Sequence, residues 1–62
     1  MDRAPGRRAQ LIRITAPHYC AGLEVENGWI TNAAPILFWS IGRRWDRVRP
    51  YFERKRFKIE EL

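Results

Sequence analysis

Asn27-Gly28 divides the stretch "LEVENGWIT", residues 23–31, into two runs in which apolar and polar side chains alternate. No other feature constrains the chain so tightly. Asn-Gly supplies the two positive φ angles of a type I′ turn, whose twist suits a β-hairpin. A two-residue turn sets the pairing: Glu26 against Trp29, Val25 against Ile30, Glu24 against Thr31. Strand side chains alternate, so Tyr19, Ala21, Leu23, Val25 and Ile30 share one apolar face that must be covered. His18, Cys20, Glu24, Glu26 and Trp29 fall on the other face.

The chain has 62 residues to cover that face. A domain of this size buries only ~60% of its unfolded surface, so it leans on disulfides, a metal, a partner or unusually good packing. A single cysteine, Cys20, excludes an internal disulfide. His18 and Cys20 are the only non-carboxylate candidates for a structural zinc site, which wants four such ligands. Packing or self-association must therefore carry the fold, and three Trp, three Phe and two Tyr suit both. No cofactor is implied. The longest apolar run, "AAPILFW", is far short of the ~20 residues that cross a bilayer. No apolar segment follows the early arginines as a signal peptide requires. With the reduced thiol, this reads as a soluble, cytoplasmic protein without a membrane partner.

Around the hairpin the pattern predicts four further elements. Residues 1–9 read as a disordered basic arm, and 10–62 as a single small domain. "QLIRIT", residues 10–15, favours a strand, ended by Ala16-Pro17, and a second strand runs from Tyr19 to Glu26. "AAPILFWSI", residues 33–41, is expected to be a short helix with Thr31 or Asn32 as N-cap, Pro35 in the first turn and Gly42 as the stop. It is apolar nearly all round and is expected to be buried on most sides. A second helix is predicted over 44–55, where Trp45, Val48 and Phe52 form one stripe. Pro50 lies inside it and is expected to kink it or delay its start. "FKIEEL" alternates as a short closing strand. Strands followed by helices make the class α+β, a small antiparallel sheet packed against two short helices.

The segments "ITAPHYCAGLEVENGWITNAAPIL" and "WDRVRPYFERKRFKIE" together resemble a group of small proteins encoded by bacteriophage and prophage genomes. The shared pattern is a strand ending in Ala-Pro-His-aromatic, an Ala-Gly step, a short hairpin, Ala-Ala-Pro-Ile, a basic helix and a final strand. It covers residues 12 to about 60. The chain departs from it at Arg56, where a helix-ending Gly is expected, and at Pro50. The resemblance implies a context rather than a chemistry: small non-virion phage proteins commonly bind one host machine and block or redirect it. Inhibitors of CRISPR effector complexes are one such class.

Charge points to where such a partner would be met. The chain carries a net +5, unevenly spread. Residues 43–58 hold eight basic residues against Asp46 and Glu53, an excess beyond what solubility needs. Candidate partner-binding residues are Arg43, Arg44, Arg47, Arg49, Arg54, Lys55 and Trp29. Trp29 reads either as a local cover for Glu24 and Glu26 or as an interface anchor, where Trp is over-represented. Trp39 reads as core or as a contact between two copies. His18 and Cys20 at i, i+2 read more simply as a turn residue and a packing thiol than as half of a reactive site. With no tuned acid and base pair and no phosphate-binding glycine loop, catalysis is not expected. The leading expectation is a non-enzymatic phage-type protein that inhibits or adapts a host protein or ribonucleoprotein complex, anti-CRISPR-like, through a basic surface. The alternative is a small nucleic-acid-binding protein that neutralises backbone phosphates. A homodimer fits either.

Overall fold

The computed structural model describes residues 9–62; the predicted arm over residues 1–9 lies, apart from Ala9, outside them. Four strands form one antiparallel sheet in the order β3-β2-β1-β4. They are β1 (Gln10–Ala16), β2 (Tyr19–Glu26), β3 (Trp29–Ala33) and β4 (Lys58–Glu61). Between β3 and β4 the chain makes a short 3₁₀ segment, η1 (Pro35–Ser40), and one α-helix, α1 (Trp45–Arg54). The α+β class and its sheet packed under two short helices are those expected.

Asn27 and Gly28 take φ of 53° and 84°, the pair of positive angles a type I′ turn needs. Glu26 pairs with Trp29 and Val25 with Ile30 as that turn dictates. One step further the register shifts, and Glu24 faces Asn32 instead of Thr31. The extra residue is a β-bulge, which the turn cannot announce because it arises in the strand beyond it. β1 and β2 form a second tight hairpin through Pro17-His18, with Ala16 opposite Tyr19. His18 therefore sits exposed in a turn, as its simpler reading has it, and not on the strand face, while Cys20, read as a packing thiol, is exposed. Proline fits that turn because its fixed φ suits the second turn position and its missing donor is not needed there.

One sheet face carries the core. Ile12 and Ile14 of β1, Ala21, Leu23 and Val25 of β2, and Ile30 of β3 are buried against Leu37 of η1 and Trp45, Val48 and Phe52 of α1. The apolar stripe of α1 is thus the one its spacing predicts. The helix starts at Trp45 and continues through Pro50 to Arg54, so Pro50 does not delay it. The N-terminus is pinned by the Trp45 N–H donating to the Gly28 carbonyl at 2.8 Å, which ties α1 to the hairpin turn.

The end of α1 explains the departure at Arg56. The Phe57 N–H donates to the Phe52 carbonyl at 3.1 Å and the Arg56 N–H to the Glu53 carbonyl at 3.0 Å. These are the two bonds of a Schellman ending, which requires a left-handed residue one past the cap. Arg56 supplies it with φ 62°. The accompanying apolar contact is present too, with the Phe52 and Phe57 rings 6.3 Å apart. Replacing Arg56 with Gly is expected to stabilise the domain by about 1 kcal/mol, because the Cβ penalty of the left-handed region disappears. A rise in the urea midpoint at unchanged slope would show it.

The other sheet face is open and polar. Across β1 and β4, the Arg13 Nε donates to Glu60 Oε1 at 2.7 Å, and Lys58 Nζ lies 3.6 Å from the other oxygen. The hydrogen bond from Arg13, helped by its charge and that of Lys58, holds the Glu60 carboxyl below its ordinary value. A depressed folded-state pKa stabilises above the unfolded value and is lost as pH falls through the folded one. Glu60→Gln is therefore expected to leave a shallower loss of stability below about pH 4.3 than the native chain shows. Urea titrations at stepped acidic pH measure the difference.

Candidate functional surface

Segment η1 is where the structure departs most from expectation. It was expected to be largely buried, yet only Leu37 and Ser40 are. The segment is two 3₁₀ turns joined at a kink, because Leu37 leaves helical geometry with φ −113° and ψ 15°. Leu37 and Ser40 are buried, while Ile36, Trp39 and Phe38, with Ile41 at the extended residue that ends the segment, are turned to solvent. Ile36, Trp39, Phe38 and Ile41 are 53%, 45%, 57% and 40% exposed respectively. The cap also differs. The residue before the first turn is Ala34, without a side-chain cap, while the Asn32 Oδ1 accepts from the N–H of Ala33 at 2.9 Å. Ser40 is fully buried, and its hydroxyl is satisfied by donating to the Leu37 carbonyl at 2.6 Å.

Helix α1 extends this surface. Tyr51 packs edge-on against Trp39 with ring centroids 5.3 Å apart. At 100° per residue, Tyr51 falls next to the core stripe on the side of Trp39, and Arg47 and Arg54 follow further round the same side of α1. Lys55 follows, its Nζ 5.3 Å above the Tyr51 ring, a cation–π distance. Arg43 stands at the other end, its Nε donating to the Trp39 carbonyl at 3.0 Å. Among the described residues none of Arg43, Arg47, Arg54 and Lys55 is within ion-pair distance of a carboxylate.

The remaining candidates are held elsewhere. Arg49 pairs with Glu53 at 2.9 Å on the opposite flank of α1. Arg44 pairs with Asp46 at 3.2 Å and stacks over the Trp29 ring at 5.3 Å. Its hydrogen bond holds the Asp46 carboxyl below its ordinary value. Trp29 also bridges to Arg44 through the backbone. Both Trp29 and Arg44 thus serve the joint between hairpin and helix, although Trp29 stays 45% exposed. Helix α1 divides its charges, with paired residues on one flank and unpaired cations on the flank beside the aromatics.

Phe38 was not among the residues expected to meet a partner, whereas Trp39 was read as core or as a contact between two copies and Tyr51 as a possible stacking ring within the basic block. The run is apolar all round and ended by Gly42, which does not reveal which of its side chains stay exposed. Among the described residues, no group of three or more His, Cys, Asp or Glu is placed to hold a metal ion. No helix there is long and apolar enough to cross a membrane. No family model matches this chain, nor does any curated protein or any solved structure.

Proposed function

We propose that this chain is a non-enzymatic interaction protein of the phage type, which docks on an acidic surface of a host macromolecular complex and blocks or redirects it. A nucleic-acid-guided defence complex is one such target. The observation that carries this reading is that exposed Trp39 packs on Tyr51, with Lys55 over the Tyr51 ring and Arg43 on the Trp39 carbonyl, while Arg47 and Arg54 follow on the same side of α1 and Phe38 is exposed nearby in the sequence. Trp, Tyr and Arg are the residues that dominate binding energy at interfaces. An aromatic anchor supplies apolar area, while the cations steer an acidic partner and set its orientation. Because these cations have no carboxylate within ion-pair distance among the described residues, meeting one elsewhere breaks no ion pair there. Arg44 and Arg49 would have to exchange partners first, so they contribute less to the surface.

The same composition gives the second reading its support. Exposed aromatic rings beside cations also stack and neutralise single-stranded nucleic acid. Salt separates the two: binding through phosphate contacts falls steeply with ionic strength.

Reversing Arg47, Arg54 and Lys55 to Glu is expected to weaken capture of the target complex from bacterial lysate by at least about tenfold. Phe38→Ala should do the same through lost apolar contact, and circular dichroism should show both variants folded. A folded triple variant that retains the same complex as fully as the native chain would overturn the reading. Tight binding of purified single-stranded nucleic acid that disappears with salt would put the second reading in its place.

A further inference from the structure

The two edges of the sheet are not alike. The outer edge of β3 is covered: the Ile30 N–H donates to the Arg43 carbonyl at 2.9 Å, and the Ile30 carbonyl accepts from Gly42 at 2.8 Å. The outer edge of β4 has no such cover among the described residues. The Leu62 N–H donates to the Leu11 carbonyl at 2.8 Å, and Glu60 and Lys58 lie opposite Arg13 and Thr15. Antiparallel pairs alternate between bonded and non-bonded. Lys58, Glu60 and Leu62 therefore turn their backbone groups toward β1, and Ile59 and Glu61 turn theirs outward. No described hydrogen bond uses the outward N–H and carbonyl of Ile59. Beside this edge lies an open groove lined by Arg49, Glu53, Phe57, Ile59 and Glu61, with Phe57 and Ile59 only half-buried.

We infer that β4 pairs antiparallel with β4 of a second copy of this chain across a two-fold axis, joining two sheets into one of eight strands. The charges select both the partner and the register. Placing Ile59 opposite Ile59 of the second copy satisfies the outward backbone groups of both in a bonded pair. It sets Lys58 opposite Glu60 of the second copy on the open face, and Glu60 opposite its Lys58. The alternative register, shifted by two, sets Glu60 opposite Glu60, and like charges directly opposed are destabilising. The two-fold axis is perpendicular to the sheet, so both α1 helices lie on the same side and run antiparallel. Their facing flanks are the ones that carry Arg49 and Glu53, so Arg49 of each copy is turned toward Glu53 of the other. The grooves close over Phe57 and Ile59, whose apolar surface leaves water. The flank with Arg47, Tyr51 and Arg54 faces away from the joint, so the dimer presents two copies of the aromatic and cationic surface.

Sedimentation equilibrium of the full chain over a wide concentration series tests this. The native chain is expected to dimerise. Lys58→Glu and Glu60→Lys are each expected to raise the dimer dissociation constant about tenfold or more. Mixing the two variants in equal amounts is expected to restore association, because each then offers the other opposite charges. Ile59→Cys in a Cys20→Ser background is expected to form an inter-chain disulfide on mild oxidation, since a bonded pair holds its Cα atoms within disulfide reach. A native chain that stays monomeric at its highest soluble concentration would overturn the inference. So would a dimer that ignores both charge changes and does not crosslink through position 59, and so would an edge that takes up only a strand from another protein.

Discussion

Phe52 is the residue on which the rest of the domain converges. Its side chain is fully buried. Its ring lies within 6.3 Å, centroid to centroid, of those of Trp39, Trp45, Tyr51 and Phe57. Those four residues come from η1, both ends of α1 and the approach to β4. One ring thus draws together every element outside the hairpins and presses them on the sheet. In so short a chain without disulfide or metal cluster among its described residues, cohesion rests on burying the aliphatic face of the sheet, and Phe52 and Trp45 are the rings that cover it. The Schellman ending follows from the same contact, because Phe57 must return beside Phe52 to start β4. The chain accepts a left-handed Arg56 to achieve it.

That concentration of the core has a consequence at the surface. A sheet of four strands with one ten-residue helix leaves little apolar space for η1 beyond one stripe. Leu37 takes that space at the kink between two 3₁₀ turns, and the neighbouring large side chains are left outward. The apolar surface and the cations beside it are then products of the packing that makes the core. The charges of α1 sort by the same geometry. Asp46 and Glu53 lie on one flank, where Arg49 pairs with Glu53, while Arg47 and Arg54 have no carboxylate within ion-pair distance among the described residues, although the charge of Arg47 reaches Asp46.

Much of the fold could be read in advance. The Asn27-Gly28 hairpin, the inward set from Ala21 to Ile30, the stripe of Trp45, Val48 and Phe52, and the closing strand all follow from local periodicity and turn chemistry. These signals are short in range and therefore visible in one sequence. The misses lie where local rules compete. The bulge opposite Glu24 depends on where β3 must bend to reach η1. Proline at Pro17 signals a break, yet it serves a second tight hairpin. The exposure of η1 could not be judged from its hydrophobicity, because the run is apolar all round and its kink at Leu37 leaves no trace in that pattern.

The candidate surface divides in the same way. Sequence alone determined that residues 43–58 carry an excess of positive charge and that aromatic residues accompany them, because charge and ring are properties of the side chain. It could not say which guanidinium groups remain unpaired. Ion pairing is a matter of distance, and distance is set by how α1 lies on the sheet and where η1 ends. Only the tertiary structure bound Arg44 to Asp46 and Trp29, bound Arg49 to Glu53, and left Arg47, Arg54 and Lys55 beside Tyr51 and Trp39.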